Sequence, residues 1–359
     1  MSDLMTDVYE YDQLTNKYGN FLQPIAEIKI NGTNVMKTLG ILVEELTLDL
    51  SLSAAGSGYI KISNIYDAVS RSFDSAVVDK FKPGTIVEIA LGYYSATITV
   101  LKGFVYMLGA EFGAKNLLIV TVMDVRRLMM ISGSKHVMHN VKNYSDAFKN
   151  VMSAYSKLCK LEVTATDDKL EAPISQTSTD YDFVMQELVG KGKSEREFFV
   201  VADKAYFRER PKKGTSMMKL EQGHELLKVE MDYAYLDMEI QVMGYSSFEQ
   251  QTYVGKAQAK SGEPQSSLIS PAPVWIVTDP DADNQEKATK RAQYIADTEK
   301  ERAKSGKIIT IGLPEIIPGR FIEIVKVESM VNRKYYVSGV KHKLGNGQFT
   351  TEIEIGGWC

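Results

Sequence analysis

Residues Pro83-Gly84-Thr85-Ile86-Val87-Glu88-Ile89 are echoed by Pro318-Gly319-Arg320-Phe321-Ile322-Glu323-Ile324. Proline presets φ for the first central position of a turn, and glycine supplies the positive φ of the second. An apolar run follows in both copies. A second strand-like run then crosses a glycine: Gly103-Phe104-Val105 in the first copy, Gly339-Val340 in the second. A third β-rich run follows each, over 117–123 and 349–355. The shared order of turn, strand, glycine and strand predicts a duplicated β-module. The expected fold class is mainly β with α+β insertions, two antiparallel β-barrels flanking a small α+β domain.

Working outward, residues 1–20 read as a loose N-terminal arm. Asn31-Gly32 between apolar runs predicts a hairpin. Leu46, Leu48, Leu50 and Leu52 alternate with polar residues, the period-two signature of a strand with one wet face. Residues 21–130 are therefore expected to form the first barrel. Ser145 is placed to cap a helix whose apolar face is Phe148, Val151, Met152 and Tyr155. Thr179 and Asp182 predict a second helix start, with Gly190 or Gly192 ending it in the left-handed region. A hairpin is expected around Asp203-Lys204, and residues 131–215 read as the α+β domain. The second barrel is expected over 216–359, with a long β-run over 231–244. A loop and helix are expected to be inserted at about 250–306. Residues 253–273 read as an extended excursion or mobile loop, and Asp283 with Glu286 as the start of a charged helix that lays Ala288, Ala292, Ile295 and Ala296 against the second barrel.

The 359 residues are 44% apolar and 25% charged, enough to bury ordinary cores, and the formal charge of −4 gives no basic footprint for nucleic acid. No secretory signal or membrane-spanning run is expected. Cys159 and Cys359 fit neither a disulfide framework nor metal-ligand spacing. His136 and His139 lack the glutamate of a zinc hydrolase and read as surface or loop histidines. His224 and His342 have no partner ligand at metal spacing. Asp167-Asp168 and the Asp279, Asp281, Asp283 group read as solvated or capping carboxylates, because a calcium loop needs a glycine where Asn284 stands. No catalytic residue, cofactor or metal is expected. Paired tyrosines (Tyr93-Tyr94, Tyr335-Tyr336, Tyr233 and Tyr235) read as strand packing or interface.

The segments Lys82-Pro83-Gly84 through Leu91-Gly92-Tyr93, Leu101-Lys102-Gly103-Phe104-Val105, and Met123-Asp124 with Leu128 resemble the first barrel of the phage late control D family. These are tail-hub proteins of contractile phages, pyocin-like particles and related injection systems, and the family includes the hub part of VgrG. Ile174-Ser175-Gln176 followed by Asp180-Tyr181-Asp182-Phe183 is similar to its middle-domain signature. Gly312-Leu313-Pro314 with Pro318-Gly319, and Tyr336-Val337 through His342 to Thr350, resemble its closing barrel. The resemblance spans residues 21–356. It makes Pro83, Gly84, Gly103, Asp124, Gln176, Asp180, Phe183, Pro318, Gly319, Gly339 and His342 structural motif positions rather than chemical ones.

The resemblance implies tube-protein-like barrels and a baseplate hub. It implies a homotrimer that adapts a six-fold tail tube ring to a three-fold spike and binds other baseplate proteins, with DNA or cargo only in passage. Such a protein is made in the bacterial cytoplasm and assembled into the particle, without a membrane anchor. The segment Lys191 to Arg196 is more charged than the family's. The sequence closes at Gly357-Trp358-Cys359 without an OB-fold or β-helical needle, which implies a separate spike protein. A cell-wall hydrolase would need an acid/base pair in a cleft, and a glycan-binding β-module rests on tyrosines alone.

Overall fold

The computed structural model describes residues 3–94, 96–166, 170, 172–190, 195–261 and 268–358. Helix α1 (Tyr11–Lys17) precedes β1 (Pro24–Ile30) and β2 (Thr33–Asn34), a hairpin turning on Asn31 and Gly32. Both turn residues hold positive φ, 51° and 77°, the geometry asparagine and glycine accept most readily. Helix α2 (Val35–Leu39) leads to β3 (Leu42–Ser51) and β4 (Ser57–Ser63). The short pair β5 (Tyr66–Asp67) and β6 (Ser72–Phe73) and helix α3 (Ser75–Lys80) precede β7 (Ile86–Tyr93), β8 (Ala96–Glu111) and β9 (Leu117–Met123). The alternating leucines of β3 point inward: Leu46, Leu48 and Leu50 are fully buried.

The middle region comprises α4 (Val125–Met130), β10 (Val137–His139), α5 (Tyr144–Met152), β11 (Lys160–Val163), β12 (Ile174–Gln176), α6 (Asp180–Phe183), β13 (Arg196–Val201) and β14 (Lys204–Glu209). It has its own core, with Phe148, Phe183, Phe198 and Phe207 buried together. The cap of α5 is Asn143, whose Oδ1 accepts from the Asp146 N–H at 2.8 Å. Ser145 was the expected cap, but it lies inside the helix and its hydroxyl donates to Asn143. Thr179 caps α6 as expected, accepting from the Asp182 N–H. A π-helical turn over Val184–Val189 follows and Gly190 is right-handed, so it does not supply the left-handed stop; Gly192 lies outside the described residues, as do Asp167 and Asp168.

The chain continues through β15 (Ser216–Glu221) and β16 (Leu226–Tyr233), then β17 (Leu236–Ser246), β18 (Gln251–Ser261), β19 (Val274–Thr278) and α7 (Gln285–Arg302). Strands β20 (Lys304–Ile311), β21 (Phe321–Val325), β22 (Lys334–Gly345) and β23 (Gln348–Trp358) close the chain. The run over 231–244 is therefore not one strand. It breaks at Ala234 and Tyr235, and its halves enter different sheets. The first part of the expected excursion, 253–261, is strand β18, paired along β17, and 262–267 lie outside the described residues. The insertion begins at Leu236, not near 250. The small-residue face of its helix packs on its own sheet rather than on the second barrel: Ala288, Ala292 and Ala296 are buried against Ile240, Val242 and Ala259. Gly255 permits the approach, since a Cβ there would sit 2.1 Å from the Ala288 backbone. The cap is Asn284, accepting from the Lys287 N–H at 2.9 Å, while Asp283 pairs with the Lys287 side chain.

The β-units are duplicated in strand order and in two of their bulges. Strand order β3-β4-β9-β8-β7 in the first unit matches β16-β20-β23-β22-β21 in the second, all neighbours antiparallel. The first strands of the two series, β3 and β16, bulge between Val43 and Glu45 and between Leu226 and Lys228. The long strands bulge between Val105 and Met107 and between Val337 and Gly339. Register carries these two bulges onto their counterparts, whereas the shifts at Ile89/Ala90 and at Tyr335/Val337 are each confined to one unit. It aligns Val105 with Val337 and Val122 with Ile355, and places Ser57-Gly58-Tyr59-Ile60 on Ser305-Gly306-Lys307-Ile308.

The two Pro-Gly corners also coincide. Gly84 and Gly319 hold φ of +91° and +84°. Each donates its N–H to the facing valine carbonyl, and that valine donates back to the residue after the glycine, at 2.8 to 2.9 Å. This is a bulge whose first residue is a left-handed glycine. The glycines of the second run do not correspond: Gly103 precedes Val105 by two residues, whereas Gly339 follows Val337 by two. They answer separate needs, since a Cβ would strike the Met123 carbonyl at one and the Glu354 carboxylate at the other.

The two units are not free-standing. Strand β22 pairs with β3 from Gly339↔Ser51 to Gly345↔Glu45, which fuses both into a 13-stranded sheet with a shared core. They differ at one flank: β1 lies antiparallel to β7, but β15 lies parallel to β21. The N-terminal residues are docked rather than loose. Leu14 and Tyr18 are buried, the Tyr9 N–H donates to the Met217 carbonyl, and Arg320 donates to the carbonyls of Leu4 and Asp7.

Candidate assembly surfaces

The sequence-selected positions other than Gly103 fall into five places. Pro83 and Gly84 form an exposed corner with open space around the glycine. Pro318 and Gly319 form the same corner, buried under the middle region. There Arg208 donates to the Gly319 carbonyl and pairs with Glu197 at 2.7 Å, and the Tyr336 hydroxyl donates to the same carboxylate at 2.7 Å. Burial pushes the Glu197 carboxyl above its ordinary range, against the pull of Arg208 and Tyr336. Duplicated geometry thus serves two ends: one corner is an internal joint and the other faces outward.

Asp124 ties β9 to the β3–β4 turn. One oxygen caps α4 through the Arg126 N–H, and the other accepts from the Gly56 N–H at 2.7 Å and from the Arg126 guanidinium. Both side chains are fully buried, and Arg126 reaches on to the Ser51 carbonyl. Such a pair, satisfied on all sides, fixes geometry more than it adds stability.

Gln176, Asp180 and Phe183 converge with His139. The Gln176 amide donates to Asp180 at 2.7 Å and its oxygen faces the His139 Nε2 at 2.9 Å. The His139 ring stacks on Phe183 with centroids 4.9 Å apart. Burial would raise the Asp180 carboxyl, but hydrogen bonds from Lys135, Tyr155 and Gln176 outweigh it and hold the group below its ordinary value. His139 is therefore a buried strand residue, not a surface or loop histidine; His136 is exposed. His342, on β22, is fully buried, with Nδ1 2.9 Å from the Thr351 hydroxyl. Gly339 and His342 flank the seam where the units fuse.

Among the described residues no group of three His, Cys, Asp or Glu side chains converges to hold a metal. Cys159 is buried, and burial pushes its thiol up to about 12, away from reactivity. No described helix is long and apolar enough to cross a membrane.

Open strand edges are more prominent. Strand β16 ends the large sheet, and the outer edge of Lys228–Asp232 pairs with no strand among the described residues. Residues 107–111 of β8 pair with β9 on one side and with no described strand on the other. Strand β19 is a third edge, with Val274, Trp275 and Ile276 exposed. Such edges are templates for further pairing. The sequence reading missed the Ser-Gly-x-Ile echo and the Glu197–Arg208–Tyr336 joint. The echo was visible at residues 57–60 and 305–308; the joint carried no local signal.

The fold is that of phage tail proteins. The chain is similar to a tail protein from Neisseria meningitidis MC58, with a TM-score of 0.70 at 11% identity, covering 93% of this chain and 97% of that one. It is similar to the 43 kDa tail protein of prophage MuSo2 from Shewanella oneidensis, with a TM-score of 0.69 at 12% identity, covering 93% and 98%. An Escherichia coli component of the type VI secretion system matches with a TM-score of 0.59 at 10% identity, covering 93% and 77%. No curated protein matches the sequence. The family model that matches is not that of late control D: it is the Alg8 N-terminal domain, it covers residues 23–346, and the chain belongs to that family.

Proposed function

We propose that this chain is the structural hub of a contractile tail or injection-system baseplate, acting without catalysis. Three chains form a ring that joins a six-fold tube to a three-fold spike. The observation that carries this is the duplication in strand order, register and bulge position. Two equivalent units per chain, three chains per ring, present six equivalent surfaces, and a rotation that repeats closes on itself. The arm (1–20) and the middle region (131–215) occur once per chain and give the three-fold decoration around units 21–130 and 216–359. The shared fold with tail proteins and a type VI secretion component supports the setting. Neighbours are then a tube ring, a spike and other baseplate proteins, and assembly follows synthesis in a bacterial cytoplasm.

The test is the stoichiometry of this chain in the particle, by light scattering of the assembled ring and by electron microscopy of the baseplate. Three copies beneath a six-fold tube are expected. Six copies would refute the reading.

A further inference from the structure

The seam inside the chain specifies the seam between chains. Within one chain, β3 of the first unit pairs with β22 of the second. The counterpart of β3 is β16, and the counterpart of β22 is β8. Those are two of the open edges. We infer that the outer edge of β16 in one chain pairs antiparallel with residues 107–111 of β8 in a second copy, in the register of the internal seam. The inference rests on the ring reading above and adds the residues that make the joint.

Register equivalence fixes the partners. Lys341↔Asp49 becomes Gly109↔Asp232, His342↔Leu48 becomes Ala110↔Met231, and Val340↔Leu50 becomes Leu108↔Tyr233. Burial agrees with a missing neighbour. Leu48, Leu50, Val340 and His342 are 0 to 1% exposed at the internal seam, whereas Tyr233 is 42% exposed, Met231 and Leu108 are half-buried and Ala110 is exposed. The proposed partners are therefore apolar on the face that the internal seam buries. Glu111↔Glu230 would oppose like charges, a local cost. Each already has a lysine, Lys61 at 3.6 Å and Lys228 at 2.5 Å. The contact is head-to-tail, so both edges of every chain are used when the ring closes.

The test is disulfide trapping in the full chain carrying Cys159→Ser and Cys359→Ser, and in baseplates assembled from it. Directly opposed antiparallel residues bring Cα atoms to about 4.5–5.5 Å, within disulfide reach. Gly109→Cys has room, its nearest neighbour standing 3.9 Å from a built Cβ. Gly109→Cys with Asp232→Cys in one chain is expected to give covalent trimer. The yield should be roughly ten-fold above Met107→Cys with Glu230→Cys, whose partners lie about 13 Å apart along the strand. Mixing chains that carry one cysteine each should give covalent dimer and nothing larger.

A ring of three by mass or image that traps the offset pair, or neither pair, overturns this joint and leaves the hub reading intact. Covalent hexamer from the first pair keeps the joint and overturns the three-chain ring. Absence of both ring and trapping overturns both.

Discussion

His342 makes stability depend on pH in a way that one substitution isolates. Its ring sits on β22 between Leu48 and Thr351, 6.1 Å from the Phe349 ring and beside the Ile316 backbone, and it is fully buried. Burial disfavours the cation and lowers the group from 6.5 to about 3. The folded chain therefore keeps His342 neutral while the unfolded chain takes up a proton near pH 6.5. Stability from this site is complete above 6.5, declines as pH falls toward 3, and changes no further below that. Between pH 7 and pH 5 the loss integrates to roughly 2 kcal/mol, and by pH 4 to about 3 kcal/mol.

Other groups titrate over the same range. Glu197, Glu225 and Glu301 are raised by burial and act in the opposite sense. The comparison is therefore the pH dependence of urea unfolding in the wild-type chain minus that in His342→Gln. The variant should cost stability at pH 7 yet lose roughly 2 kcal/mol less than wild type on going to pH 5. Parallel curves for the two proteins would refute the burial argument.

Four further substitutions follow from the geometry. Gly84→Ala should cost about 1–2 kcal/mol for the left-handed backbone alone. Gly319→Ala should cost a further 1–3 kcal/mol or so, because its Cβ would lie 2.7 Å from Phe199; equal midpoints in thermal unfolding would contradict the difference between open and buried corners. Tyr336→Phe removes a donor from the buried Glu197 carboxylate and should cost about 1.5–3 kcal/mol at pH 7, with an unchanged denaturation midpoint speaking against the joint. Ala292→Asp places a carboxylate in the fully buried face of α7, at about 1–3 kcal/mol. Limited proteolysis should then cut within 236–303 first, and uniform cutting along the chain would count against a separately packed insertion.

Local chemistry was legible where the side chains that matter are neighbours in sequence. The leucines of β3 announced a half-buried strand, and Asn31-Gly32 announced its hairpin. The Pro-Gly blocks exposed the duplication because a left-handed corner needs glycine wherever it recurs. Gly103 and Gly339 misled because a glycine inside a strand has no periodic signature; each is set by one cross-strand contact. The helix caps were misplaced at Ser145 and Asp283 because several capping side chains cluster there; Asn143 and Asn284 have the extended backbone that lets the side chain reach the third N–H. Nothing local marked the β3–β22 seam, whose partners are nearly a full chain length apart. The insertion hid the Ser-Gly-x-Ile echo by separating β16 from β20. The Glu197–Arg208–Tyr336 joint is likewise a meeting of three distant segments.

The way the insertion is attached has a consequence of its own. Tyr233 and Lys304 face each other in the ladder, and the Ala234 N–H donates to the Ala303 carbonyl at 2.8 Å. The chain thus leaves the large sheet and returns to it across a single rung. All of β17, β18, β19 and α7 is inserted at that rung like a cassette in a slot, steadied from the side by the Arg210–Glu301 pair at 2.7 Å and by Arg291 donating to the Gly190 carbonyl. Closing the rung with a two-residue Asn-Gly turn would restore the plain hairpin that the first unit approximates with β3 and β4. A lineage can therefore exchange what hangs there, or discard it, while every register on which the sheet depends stays where it was.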